Sequence, residues 1–135
     1  LAAPVYRPSA LPPGMRLVSL TTERLKCGDR TVEQVVATYR RSDRFLVRIF
    51  EGTPFFCGDL GDVQRLGRTR IRRSRAAIYD SPNFDNQGGI ILVWNTDWRS
   101  TSSLDSVGTA MHVEIGSRDQ ALAIRIGRGM RLVPR

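Results

Sequence analysis

Histidine and lysine each occur once in this chain, cysteine twice, and aromatic residues make up 7% of it. A lone histidine, His112, excludes histidine pairs, most histidine-based metal sites and two-histidine phosphoryl relays. The two cysteines, Cys27 and Cys57, form no CxxC pair, so the common zinc and thiol-redox signatures are missing too. No apolar run approaches the roughly 20 residues of a membrane-spanning helix, so a soluble domain with no transmembrane segment is expected. Neither a glycine-rich phosphate-binding fingerprint nor a nucleophile elbow occurs. No repeat at the periods of solenoids or propellers is visible. Together these absences assign no catalytic residue, no metal ligand and no cofactor.

Arginine, by contrast, is abundant. Of 21 basic residues only Lys26 is lysine, and with 13 acidic residues the formal charge is +8. Such an excess points to anionic partners, although codon usage in a GC-rich genome produces the same skew wherever a positive charge is tolerated. The sharpest local feature is the cluster Arg68, Arg70, Arg72, Arg73 and Arg75. In a strand, Arg68, Arg70 and Arg72 project from one face as a stripe suited to an anion or an acidic partner. No aromatics interleave with it to stack bases, so nucleic acid is the weaker choice of ligand.

Cys27 and Cys57 suit a disulfide in an oxidising compartment, where closing that loop contributes about 3–4 kcal/mol. The alternative is two buried free thiols. Carboxylates at Glu51, Asp59, Asp62, Asp80, Asp85 and Asp105 form no diagnostic pair. Asp80, Asn83, Asp85 and Asn86 are explained by turn chemistry without calcium. Alternation sets His112 with Ala110 and Glu114 on the polar face of its strand, and Trp94 and Trp98 read as core and sheet-edge residues.

The chain length fits one domain, expected over residues 1–131. A proline-rich extended lead-in covers residues 1–14, and 132–135 (Leu-Val-Pro-Arg) read as the remnant of a thrombin-cleavable tag. The opening without methionine suggests excision from a longer protein, with any signal peptide or anchor upstream.

Arg16 to Leu20 begins a first strand, and the polar stretch Thr21 to Arg30 reads as a loop. Thr31 to Arg40 fits both helical spacing and alternation. The turn Arg41-Ser42-Asp43 into the alternating Phe45 to Phe50 favours a strand hairpin. Glu51 to Gly67, with four glycines and a proline, reads as a long connection. Strands are expected at Arg68–Arg73, Ala76–Tyr79, Ile90–Trp94 and Thr109–Ile115, the last with Met111, Val113 and Ile115 inward. Ser117 and Gln120 form a capping-box pair, and Leu122, Ile126 and Met130 lie at helical spacing, which predicts a helix from Arg118 to about Gly129. The fold class is α+β: a mainly antiparallel sheet with a C-terminal helix on one face.

Several segments in this order resemble a bacterial family of domains of unknown function. That family occurs in the extracytoplasmic parts of anti-sigma-factor-like membrane proteins and lipoproteins. The resemblance is carried by Pro8-Ser9-Ala10-Leu11-Pro12-Pro13-Gly14 leading into Arg16-Leu17-Val18, the strand ending in Tyr39, and Phe45 to Glu51. It continues through Ile71, Ala76-Ala77-Ile78-Tyr79, the strand ending in Trp94, and the helix at Asp119 to Ile126. The chain departs from the family in its cysteines, its long Glu51–Gly67 connection and its arginine stripe. The resemblance implies a non-enzymatic sensor or protein-interaction domain of a membrane-anchored or secreted protein, in the periplasm or at the cell surface. It carries over no catalytic residue. Two other functions fit the residues. One is a carrier of a lipid or other hydrophobic ligand, which calls for an apolar pocket between sheet and helix. The other is binding of an anionic lipid, polymer or nucleic acid through Arg68 to Arg75.

Overall fold

The computed structural model describes residues 6–27, 29–52, 64–82, 88–95 and 110–132. Its centre is a seven-stranded sheet in the order β2-β3-β4-β8-β7-β6-β5, with every neighbouring pair antiparallel. Strands β2 (Arg16–Cys27), β3 (Arg30–Arg40) and β4 (Leu46–Glu51) form one meander. Strands β5 (Gln64–Ile71), β6 (Ser74–Ser81) and β7 (Gly89–Asn95) form a second. Strand β8 (Ala110–Ile115) inserts between β4 and β7 and joins the two meanders. Helix α1 (Gln120–Arg128) packs on this sheet, as expected for the α+β class. Strands β1 (Tyr6–Pro8) and β9 (Met130–Leu132) pair as a separate two-stranded ribbon.

Alternation decides which side chains build the core. Val47 and Ile49 of β4, Met111, Val113 and Ile115 of β8, and Ile90, Leu92 and Trp94 of β7 face one side and are buried. Ala123 and Ile126 of α1 cover them and are fully buried themselves. The other face is buried at its centre as well, at Val36, Leu46, Ala77, Ile91 and Val93.

Four expectations require correction. Thr21 to Arg30 is not a loop: β2 runs on to Cys27 and pairs with β3 as far as Cys27↔Arg30. Because β3 meets β4 only from Val35 to Arg40, the outer part of this hairpin is a two-stranded arm among the described residues. The side chains of Thr21 to Arg24 are all exposed, and a strand stretch without a buried face needs no apolar alternation, so its polarity imitated a loop. The connection after Glu51 is shorter than expected, since β5 already begins at Gln64.

The helix begins at Gln120, with Asp119 as its N-cap accepting from the Leu122 amide at 3.1 Å. Ser117 sits two residues too early to cap it, and its Oγ accepts instead from the Asp119 amide at 3.1 Å. At the other end Gly129 stops the helix, its amide donating to Arg125 O and Ile126 O. Met130 therefore falls in β9, not on the helix. The proline-rich lead-in is tied down at the same place: Ser9 donates from N and Oγ to Gly129 O, and a Cβ on Gly129 would lie 2.6 Å from Ala10 Cβ. Leu132, read above as the start of a tag remnant, pairs with Tyr6.

Candidate anion-binding edge

The arginine cluster lies at one edge of the sheet, where, among the described residues, β5 pairs only with β6. Their hairpin reverses at Arg72-Arg73, between the paired residues Ile71 and Ser74. Arg72 has φ of 57°, the left-handed conformation that a tight hairpin turn demands and that costs a residue with a Cβ. Its guanidinium donates to Met130 O at 2.7 Å. The expected stripe of Arg68, Arg70 and Arg72 is thus corrected: Arg72 and Arg73 are turn residues, because the two-residue reversal removes them from the strand.

What replaces it is broader. The pairings Arg70↔Arg75 and Arg68↔Ala77 set Arg68, Arg70 and Arg75 on the same face. A bulge at Leu66, between the pairs Arg65↔Tyr79 and Gly67↔Ile78, turns Arg65 onto that face too. All four arginines are exposed, and among the described residues none of them makes an ion pair. Arg70 and Arg75 stand directly opposite one another, an arrangement of like charges that disfavours the pairing of their strands. From the helix, Arg128 reaches the strand edge, donating from Nε to Arg70 O at 3.2 Å. Arg65 could be found from the sequence only by recognising the bulge, for which Gly67 was the one signal.

The remaining candidates lie elsewhere. Cys27 ends the β2 arm, while its side chain and the whole of Cys57 fall outside the described residues, and with them the pairing. Asn83, Asp85, Asn86, Trp98, Asp59, Asp62 and Asp105 also lie outside them. Asp80 is in β6 and pairs with Arg118 at 3.4 Å. Among the described residues no group of three potential metal ligands occurs, and no helix is long and apolar enough to cross a membrane.

Two buried polar residues of the sheet centre were misjudged or passed over. His112 is not a solvated polar-face residue. It is only 7% exposed, beside Phe50 at 6.1 Å between ring centroids, and its Nε2 has no hydrogen-bond partner. Strict alternation located its face correctly but could not reveal that this face is buried too. Burial drives its pKa down to about 4. On the core face Glu51, 6% exposed, accepts from the Tyr6 amide at 2.8 Å. Burial pushes its carboxyl up to about 7, against a smaller opposing effect of that hydrogen bond.

A cavity of about 310 Å³ lies on the core face beside the same β5–β6 turn, bounded by Ile71, Trp94, Gly127, Met130 and Tyr6, with Arg72, Arg73 and Ser74 at one side. Compared with protein-family models, with curated proteins and with solved structures, the chain matches none.

Proposed function

We propose that this chain is a non-enzymatic interaction domain, acting outside the cytoplasm, that binds an acidic extended segment of a partner protein along β5. The observation that carries this reading is the Arg70–Arg75 pair, flanked by Arg65 and Arg68 on one face and without a carboxylate partner among the described residues. Like charges set opposite each other on a sheet cost stability unless something anionic comes between them. Guanidinium groups hold carboxylates bidentately, and a strand edge offers main-chain groups to an added strand, here those other than Arg70 O, which accepts from Arg128. A peptide of alternating acidic residues satisfies both features at once. The extracytoplasmic placement rests on the resemblance to domains of anti-sigma-factor-like membrane proteins and lipoproteins.

The test is fluorescence anisotropy with a dye-labelled peptide of alternating Glu and Val. Binding is expected to weaken steeply with added salt. The triple variant Arg68→Gln, Arg70→Gln, Arg75→Gln should weaken it by about tenfold or more at low salt. Equal binding by the variant would overturn the reading. So would an absence of peptide binding alongside tight, arginine-dependent binding of single-stranded oligonucleotides or anionic vesicles.

A further inference from the structure

The cavity beside the β5–β6 turn is a separate feature from the arginine face, since it opens on the opposite side of the sheet. The cavity is open to solvent on one side, and at about 310 Å³ it is at the small end of ligand pockets. Its floor is apolar: Ile71 from β5, Trp94 from β7 and Met130 from β9 are each buried. Gly127 brings bare helix backbone to the wall, and Tyr6 closes the side formed by β1.

One wall is cationic, and its geometry is unusual. Arg72 occupies a left-handed turn position that glycine or asparagine fills at less cost, so the residue type is not explained by the backbone. Its side chain crosses to Met130 O, holding the guanidinium beside the apolar floor. That bond uses one of the five N–H donors of an arginine. Arg44 adopts the same conformation in the turn before β4, so what sets Arg72 apart is the placement of its guanidinium beside the apolar floor.

We propose that this cavity binds a small organic anion with a single apolar body, an aryl or short alkyl carboxylate, its carboxylate on Arg72 and its body against Ile71, Trp94 and Met130. The volume excludes a two-chain lipid. The floor, with no charged residue, disfavours a polyanion or a sugar.

Trp94 supplies the readout. With Trp98→Phe as background, Trp94 is the one tryptophan left, and its emission is followed while the protein is titrated with phenylacetate, hexanoate and the neutral phenylacetamide. A saturable change with at least one of the two acids is expected. Loss of the ligand charge, in phenylacetamide compared with phenylacetate, or of the protein charge, in Arg72→Asn, should each weaken binding by about tenfold. Asparagine accepts the left-handed turn, and the acid-to-amide comparison on unaltered Arg72 decides the matter even if that variant misfolds. No saturable change with either acid, or equal binding of acid and amide, would overturn the proposal.

Discussion

The two edges of the sheet solve the same problem differently. An edge strand presents unpaired main-chain groups that invite association. At β2 the edge is long, and its exposed side chains mix Leu17, Val18 and Leu20 with Arg16, Glu23, Arg24 and Lys26. Two of its charges find partners within the hairpin, where Arg24 meets Glu33 at 3.4 Å and Glu23 accepts from Gln34 at 2.8 Å. At β5 the exposed charges are of one sign and find none among the described residues, while helix α1 packs on the strand's other face. The hairpin gives the β2 edge polar partners of its own, whereas the β5 edge has none among the described residues, and that gap is what the proposed acidic partner would fill.

The largest effect expected from breaking this contrast comes from removing the support under β5. Ile126→Ala hollows the fully buried contact between helix and sheet and should cost about 2–5 kcal/mol in denaturant unfolding. Hydrogen exchange should accelerate in β5 and β6 before β2 and β3, since the helix contacts the first pair's side of the sheet.

Next comes a pH effect from the sheet centre, common to both edges. Glu51, raised to about 7 from 4.5, contributes stability that is present below pH 4.5 and lost as pH rises through about 7. His112, lowered to about 4 from 6.5, contributes stability that is present above pH 6.5 and lost as pH falls through about 4. Between pH 4.5 and 6.5 the histidine slope is opposed by that of Glu51 and by that of Glu114, which burial also raises, so the intact protein should lose little stability on acidification there. Glu51→Gln should uncover the histidine slope, of up to about 1.4 kcal/mol per pH unit, with stability falling on acidification. His112→Phe should uncover the opposite slope. Urea midpoints across this range measure both.

A smaller effect separates the edges themselves. Arg75→Glu turns the like-charge pair with Arg70 into an attractive one and should stabilise the protein by about 0.2–1 kcal/mol at low salt. Leu20→Thr on the β2 edge, removing an exposed side chain, should stay within about 0.5 kcal/mol of the parent. Thermal unfolding of the two variants side by side checks the contrast.

The residues that declared themselves in the sequence were the apolar ones of the buried strands and helix. Met111, Val113 and Ile115 and the helix carrying Ile126 read correctly from their periods, and Ile90 to Trp94, buried on both faces, from its short β-branched run. The β2 arm, solvated on both sides, carries no period and passed for a loop. The arginine cluster was legible as composition, yet its geometry depended on two local irregularities. The two-residue turn withdrew Arg72 and Arg73, and the Leu66 bulge added Arg65. The cavity was not legible at all, since Tyr6, Ile71, Trp94, Gly127 and Met130 come from five different elements.

The most direct test of the account is to record amide chemical shifts while the protein is titrated with the Glu/Val peptide. The account predicts shifts concentrated in β5 and β6, from Arg65 to Ala77, with β2 from Arg16 to Cys27 undisturbed. Shifts concentrated in β2, or spread evenly over both edges, would contradict it.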